Sequence, residues 1–109
     1  MSTQNDRYRA MIERFPRSEV PRYSLGSALK AEGKLDEAVE HLAVAVEVKP
    51  DFMMAWIQLG EAHMAREDWD GAKSAIQAAL KLATDQDHQG PKLDCEALLE
   101  EIQEELDGI

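Results

Sequence analysis

Hydrophobic residues recur along most of the chain with the spacing of an α-helix. Leu25, Gly26 and Leu29 lie one and four positions apart, which places them on one helix face. Gly33 interrupts this pattern, as a residue in the left-handed conformation at a helix end would. A second apolar face follows and stops at Pro50, which cannot donate a backbone hydrogen bond. Its members are Ala38, Leu42, Ala45, Val46 and Val48. The pattern predicts two consecutive helices joined by a short turn.

The chain repeats itself with a period of about 34 residues. Residues 19–52 align with residues 53–86, and the matching positions are mostly small or apolar. The identical pairs are Leu25/Leu59, Gly26/Gly60, Ala28/Ala62, Ala31/Ala65, Asp36/Asp70, Ala38/Ala72, Ala45/Ala79 and Asp51/Asp85. Because helices of this length are marginal alone in water, the repeat predicts two helix pairs that pack on each other.

Glycine occupies the same place in the first helix of both units, at Gly26 and Gly60. A glycine costs a helix about 1 kcal/mol relative to alanine, so its recurrence points to a packing requirement. We expect Gly26 to lie opposite Ala38, and Gly60 opposite Ala72, where the two helices of a pair approach most closely.

The repeat resembles the tetratricopeptide repeat (TPR). Trp56, Leu59, Gly60 and His63 follow the pattern W-x2-L-G-x2-Y, with histidine at the tyrosine position. The further departures are Arg22 for the tryptophan, Leu29 for the tyrosine and Thr84 for the terminal proline. The resemblance implies an all-α fold, a TPR-type stack of antiparallel helix pairs (an α-α superhelix) with about six helices.

Both ends of the chain continue the helical pattern. Tyr8, Met11, Ile12 and Phe15 have the spacing of one helix face, and an otherwise acidic segment near the C-terminus carries an apolar stripe, as a terminal capping helix should. The stripe consists of Cys95, Leu98, Leu99, Ile102, Leu106 and Ile109. We predict a single TPR domain over 1–109, with a half-repeat helix at 4–15, repeat 1 at 19–52, repeat 2 at 53–86 and a capping helix at 90–107.

Composition narrows the possible functions. The 109 residues include 12 Lys and Arg against 22 Asp and Glu, for a net charge of −10, which argues against general nucleic-acid binding. No stretch approaches the roughly 18 apolar residues of a membrane span, and the first residues lack a signal-peptide pattern. We therefore expect a cytoplasmic protein without membrane contact. The single cysteine, Cys95, excludes an intrachain disulfide.

Nothing in the sequence predicts catalysis. His41, His63 and His88 show no metal-ligand spacing, and no nucleotide-binding or nucleophile motif is present. Cys95 lies between Asp94 and Glu96, whose charges raise a thiol pKa, so we interpret it as a buried structural residue of the cap. The prediction is a protein that is not an enzyme, with no cofactor and no metal.

The TPR resemblance implies a concave groove lined by the first helix of each repeat, which takes an extended peptide or a partner helix. Carried to this chain, the groove residues are Val20, Tyr23, Ser27, Lys30, Met54, Ile57, Glu61 and Met64. We predict a protein–protein interaction module, an adaptor or scaffold, that binds a protein or peptide partner there. An alternative stays open: Met54 and Ile57 are instead buried against a terminal helix.

Some TPR proteins hold the carboxylates at a chaperone's C-terminus with Lys, Asn and Arg. The matching positions in this sequence are Tyr23, Ser27, Gln58, His88 and Lys92. Because nearly all the positive charge is missing, we expect no such activity.

The two ends differ in charge. Five arginines against three acidic residues give residues 1–23 a charge of +2, whereas one lysine against seven acidic residues gives residues 91–109 a charge of −6. Both segments could be solvated helix faces. Alternatively, the ends attract each other, and the protein self-assembles head to tail into a homo-oligomer.

Overall fold

The computed structural model describes residues 3–108, which form six α-helices and no strand. Their bounds are α1 Gln4–Arg14, α2 Glu19–Ala31, α3 Leu35–Val48, α4 Met53–Ala65, α5 Trp69–Asp85 and α6 Gln89–Leu106. Each helix packs on the next one, most extensively within the pairs α2/α3 and α4/α5. The prediction of an all-α stack of six helices is confirmed. Ile109, predicted to end the apolar stripe, lies outside the described residues.

Three similar turns reverse the chain within this stack. Gly33 has the expected left-handed backbone, with φ 79°, and the next N–H closes the turn by donating to the carbonyl oxygen of Leu29. Glu67 and Asp87 take the left-handed position in the two later turns, with φ 62° and 56°. Corresponding hydrogen bonds are donated to the carbonyls of His63 and Ala83. The turn geometry therefore persists where glycine is absent.

The recurrent glycines allow close helix packing. A Cβ atom added to Gly26 would lie 2.6 Å from Leu42 Cγ and 3.3 Å from the Ala38 carbonyl oxygen. A Cβ on Gly60 would overlap the side chain of Ile76, with its Cγ1 at 2.6 Å. The expected close approach is present, but the group that needs the space is chiefly Leu42 or Ile76, one turn beyond the alanine we expected. These branched side chains fill the room that the missing Cβ leaves.

Two clusters of buried side chains hold the helices together. The first is built mainly by the two helices of the first repeat and contains Leu25, Leu29 and Leu42; the second joins α5 to α6 through Ile76, Cys95 and Ile102. Burial of such side chains contributes roughly 1.5–3 kcal/mol each.

Helix α1 joins this core only at its edge. It has no buried residue, and Tyr8 and Ile12 pack half-buried against the first cluster. Met11 and Phe15, predicted on the same face, are 46% and 55% exposed. Because α1 packs mainly against α2, its contact face is narrower than the apolar face that its sequence predicts.

Arg22 explains one departure from the TPR pattern. Its Nε donates a hydrogen bond to the Pro16 carbonyl at 3.0 Å, and Trp56 Nε1 donates to the Pro50 carbonyl at 2.7 Å. Both pairs are six residues apart and lie 34 residues from each other. The arginine thus replaces the tryptophan as donor in the same link between a helix and the turn before it.

The second helix pair, α4/α5, differs from the first pair, α2/α3, in where its second helix ends. Helix α3 stops before Pro50, whereas α5 continues to Asp85 because Thr84, at the corresponding position, has a backbone N–H to donate. Consequently α6 begins at Gln89, 36 residues after the start of α4 at Met53. Positions on α6 are therefore shifted by two residues from the 34-residue register.

The partial burial of His41 and His63 should make the stability of the protein depend on pH. Burial lowers the pKa of both His41 and His63 below the ordinary 6.5, and it outweighs the opposing effects of Glu37 and Asp68. The unfolded chain therefore binds these protons more readily, so stability should fall as the pH drops below about 6.5. We expect a lower Tm at about pH 5.5 than at about pH 7.5. The measurement is thermal circular dichroism, with a His41→Gln/His63→Gln variant whose Tm should change less over this interval. An equal change in both proteins would contradict the assignment.

Candidate protein-binding site

The eight predicted groove residues all lie on α2 and α4, but they differ in exposure. Val20 and Met54 are 57% and 43% exposed, and Ile57 is buried. The half-buried members are Tyr23, Ser27, Lys30, Glu61 and Met64.

Several of these side chains are engaged within the protein. The Tyr23 ring packs against Phe52 with the ring centroids 4.7 Å apart. Lys30 Nζ lies 3.0 Å from Glu61 Oε1, so an ion pair joins α2 to α4. The Ser27 hydroxyl is shielded from solvent and has no hydrogen-bond partner among residues 3–108. Tyr23 and Lys30 of the predicted groove are therefore already engaged in contacts within the protein.

A cleft of about 520 Å³ opens next to this ion pair, between α4 and α6. We call it the α4–α6 cleft; its lining residues are Met54, Ile57, Gln58 and Glu61 from α4, and Pro91, Asp94, Ala97 and Leu98 from α6. Three of the predicted groove residues thus meet here. Sequence reasoning missed the α6 wall because α6 was interpreted only as a cap. With the two-residue shift, Asp94 corresponds to Gln58 and Ala97 to Glu61, a signal that could have identified this wall.

Ile57 and Met54 have different roles in the cleft. Ile57 is only 9% exposed and belongs to the cluster that contains Cys95 and Ile102, so it is a core residue whose edge forms the floor. Met54 stands exposed at the wall. The alternative that both residues are buried against a terminal helix therefore holds for Ile57 but not for Met54.

The cleft carries negative charge. Glu61 is compensated by Lys30, whereas the exposed Asp94 has no ion-pair partner among residues 3–108. None of the lining residues is a lysine or an arginine. Cys95 is fully buried behind the cleft, and burial, followed by Asp94 and Glu61, raises the pKa of its thiol. The thiol is therefore held in its protonated, weakly nucleophilic form.

The α6 residues that line the cleft are not the ones that the sequence matched to carboxylate-binding positions. Lys92, the one cation at the matched positions, is absent from the cleft lining, and His88 is the exposed N-cap of α6. Asp94 faces the cleft instead, because of the two-residue shift. A peptide that ends in carboxylates would meet like charge here.

Within residues 3–108, no helix combines the length and the apolar character needed to span a bilayer. The same residues contain no group of three His, Cys, Asp or Glu side chains arranged to hold a metal ion.

Paired helices in a stack, with a cleft between the first helices of successive units, define a helical-repeat protein. The tetratricopeptide repeat family model matches residues 29–90, and the chain belongs to this family. No curated protein matches the sequence significantly.

Solved structures share this fold. A protein from Bordetella parapertussis, determined in solution, is 25% identical, with a TM-score of 0.79 over 96% of this chain and 91% of that one. The TPR2B domain of yeast Sti1, in complex with pHsp70, is 21% identical, with a TM-score of 0.84 over 93% and 81%. PcrH, in complex with the chaperone binding region of PopD, is 20% identical, with a TM-score of 0.85 over 91% and 75%. At such identities the likeness shows the fold alone.

Proposed function

We propose that this protein is a non-catalytic interaction module that binds a segment of a protein partner in the α4–α6 cleft. The observation that carries the proposal is the cleft itself: an apolar floor and wall stand open between two helices that are fixed to the same core helix, α5. A concave apolar site with a few polar groups is the usual form of a binding site.

The chemistry of the lining supports binding of an apolar side chain. Met54 is unbranched and adaptable, Ile57 supplies a rigid floor, and Leu98 closes the opposite side. Glu61 and Asp94 at the cleft add polar contacts that select among partners. The structurally similar domains of Sti1 and PcrH were solved in complex with pHsp70 and with the chaperone binding region of PopD, which favours a protein ligand for this chain as well.

The side chains also favour a non-catalytic role. The thiol of Cys95 is buried with a raised pKa, and burial lowers the pKa of His41 and His63 so that both are neutral near pH 7. None of the three lines the cleft. We therefore assign the cleft to recognition.

The test is selection from a random peptide display library on the immobilised protein, repeated with a Met54→Lys variant. We choose Met54 because it is exposed, whereas truncating Ile57 would open a cavity in the core. The wild type should enrich peptides with large apolar side chains. These peptides should bind Met54→Lys at least about tenfold more weakly, a loss of about 1.4 kcal/mol.

Leu93→Lys is the matched control, since Leu93 is 63% exposed on α6 and does not line the cleft. It should bind the selected peptides as the wild type does. Failure to enrich any peptide, or equal binding by Met54→Lys, would overturn the proposal.

A further inference from the structure

One side of α1 forms an exposed stripe that is both apolar and basic. Arg7, Met11 and Arg14 lie on one side of α1 at helical spacing, Phe15 is the residue that caps the C-terminal end of the helix, and all four are exposed. The Arg14 guanidinium lies 5.5 Å from the centroid of the Phe15 ring, so charge and apolar surface are adjacent. We call these four residues the α1 stripe. Met11 and Phe15 keep 46% and 55% of their surface exposed.

The positive charges of the α1 stripe have no partner within residues 3–108. Arg9 and Arg17, which lie outside the stripe, form salt bridges with Glu37 and Glu47. No such bridge involves Arg7 or Arg14 in the described part of the chain. The stripe therefore presents two uncompensated cations beside two large apolar side chains.

The α4–α6 cleft has the complementary properties. Its floor and walls are apolar at Met54, Ile57 and Leu98, and Asp94 supplies an uncompensated negative charge. The C-terminal segment from residue 91 onward has a charge of −6, so the field around the α6 wall is negative as well. The same chain therefore has two surfaces, the α1 stripe and the α4–α6 cleft, that are both partly apolar and opposite in charge.

We propose that the α4–α6 cleft binds the α1 stripe of a second copy of this protein. Phe15 and Met11 would enter the apolar part of the cleft, with Arg14 toward Asp94. This inference rests on the proposed function, because it names the partner for the same cleft. The two surfaces differ, so the contact is heterologous, and each added copy leaves one cleft and one stripe free. Copies would join head to tail.

The net charge of −10 opposes this association, whereas the local pairing of stripe and cleft favours it. At about 0.1 M salt the Debye length is about 10 Å, so repulsion between distant charges is screened while charges in contact still attract. Self-association is therefore best measured at that salt concentration.

The experiment is sedimentation equilibrium of the purified full chain over the micromolar to millimolar range. The wild type should form a concentration-dependent series of oligomers. Phe15→Asp, which spoils the stripe, and Met54→Lys, which spoils the cleft, should each be monomeric. An equimolar mixture of these two variants should form a 1:1 dimer and nothing larger, because only one intact stripe and one intact cleft remain between them.

Leu93→Asp and Leu93→Lys are the matched controls, since each replaces an exposed apolar side chain outside the stripe and the cleft with the charged residue used in the corresponding test variant. Both should associate as the wild type does. A monomeric wild type, oligomers that persist in either cleft or stripe variant, or a mixture that stays monomeric would overturn the inference. A monomeric wild type that still selects peptides through Met54 would leave the proposed function standing.

Discussion

A Gly60→Leu variant should unfold at a much lower temperature than the wild type. Even a single added carbon would overlap Ile76, a fully buried side chain at the centre of the second cluster. Overpacking of this kind costs about 3 kcal/mol or more, which exceeds the helix-propensity gain of about 1 kcal/mol on replacing glycine. Because a domain of this size has roughly 5–15 kcal/mol of stability in total, the loss is a large part of it.

Thermal and urea unfolding followed by circular dichroism would measure this loss. A cost of about 3 kcal/mol should lower Tm by roughly 10–20 °C. Ser74→Leu is the matched control, since Ser74 lies exposed on α5 in the same helix pair and leucine has the higher helix propensity. Its Tm should equal or exceed that of the wild type. An unchanged Tm for Gly60→Leu would disprove the close contact between α4 and α5.

An Ile102→Asp variant should release α6 from the stack. Ile102 is fully buried, and together with Cys95 it anchors α6 on the second cluster. Removing a buried isoleucine side chain costs about 2–5 kcal/mol, and a carboxylate buried without a partner adds to this. Because α6 packs mainly on α5, its release leaves the first helix pair intact.

Amide hydrogen exchange read by mass spectrometry would locate the effect. The amides of α6 should lose their protection, while those of α2 and α3 keep it. Peptide binding should be lost with the α6 wall of the cleft. Leu93→Asp, on the exposed side of the same helix, should preserve both protection and binding. Protected α6 amides in Ile102→Asp would show that the anchor lies elsewhere.

The helix pairs were predictable because their signals are local. Glycine at 33 sets a turn, Pro50 stops a helix, and the apolar spacing around Leu25 and Leu42 selects the faces that pack. Each depends on backbone dihedrals or on a few neighbouring side chains, which a sequence pattern records directly. The resemblance to TPR proteins rests on an equally local pattern, that of Trp56, Leu59, Gly60 and His63.

Other features depended on contacts between distant residues. The sequence places Ile57 on a groove face, but its burial depends on α6, which arrives 36 rather than 34 residues after α4 because α5 is extended past Thr84. The same shift puts Asp94, not Lys92, in the cleft. A small change in one helix length thus altered both the wall and the charge of the site.

The sequence by itself determined the class of fold, the repeat, the turn at Gly33 and the close approach at Gly26 and Gly60. Only the tertiary structure decided which apolar residues stay exposed, among them Met11, Phe15 and Met54, and which charges lack a partner. The physical reason is that helix formation and helix-face selection follow short-range periodicity. Exposure and charge pairing instead depend on where each helix lies against the others.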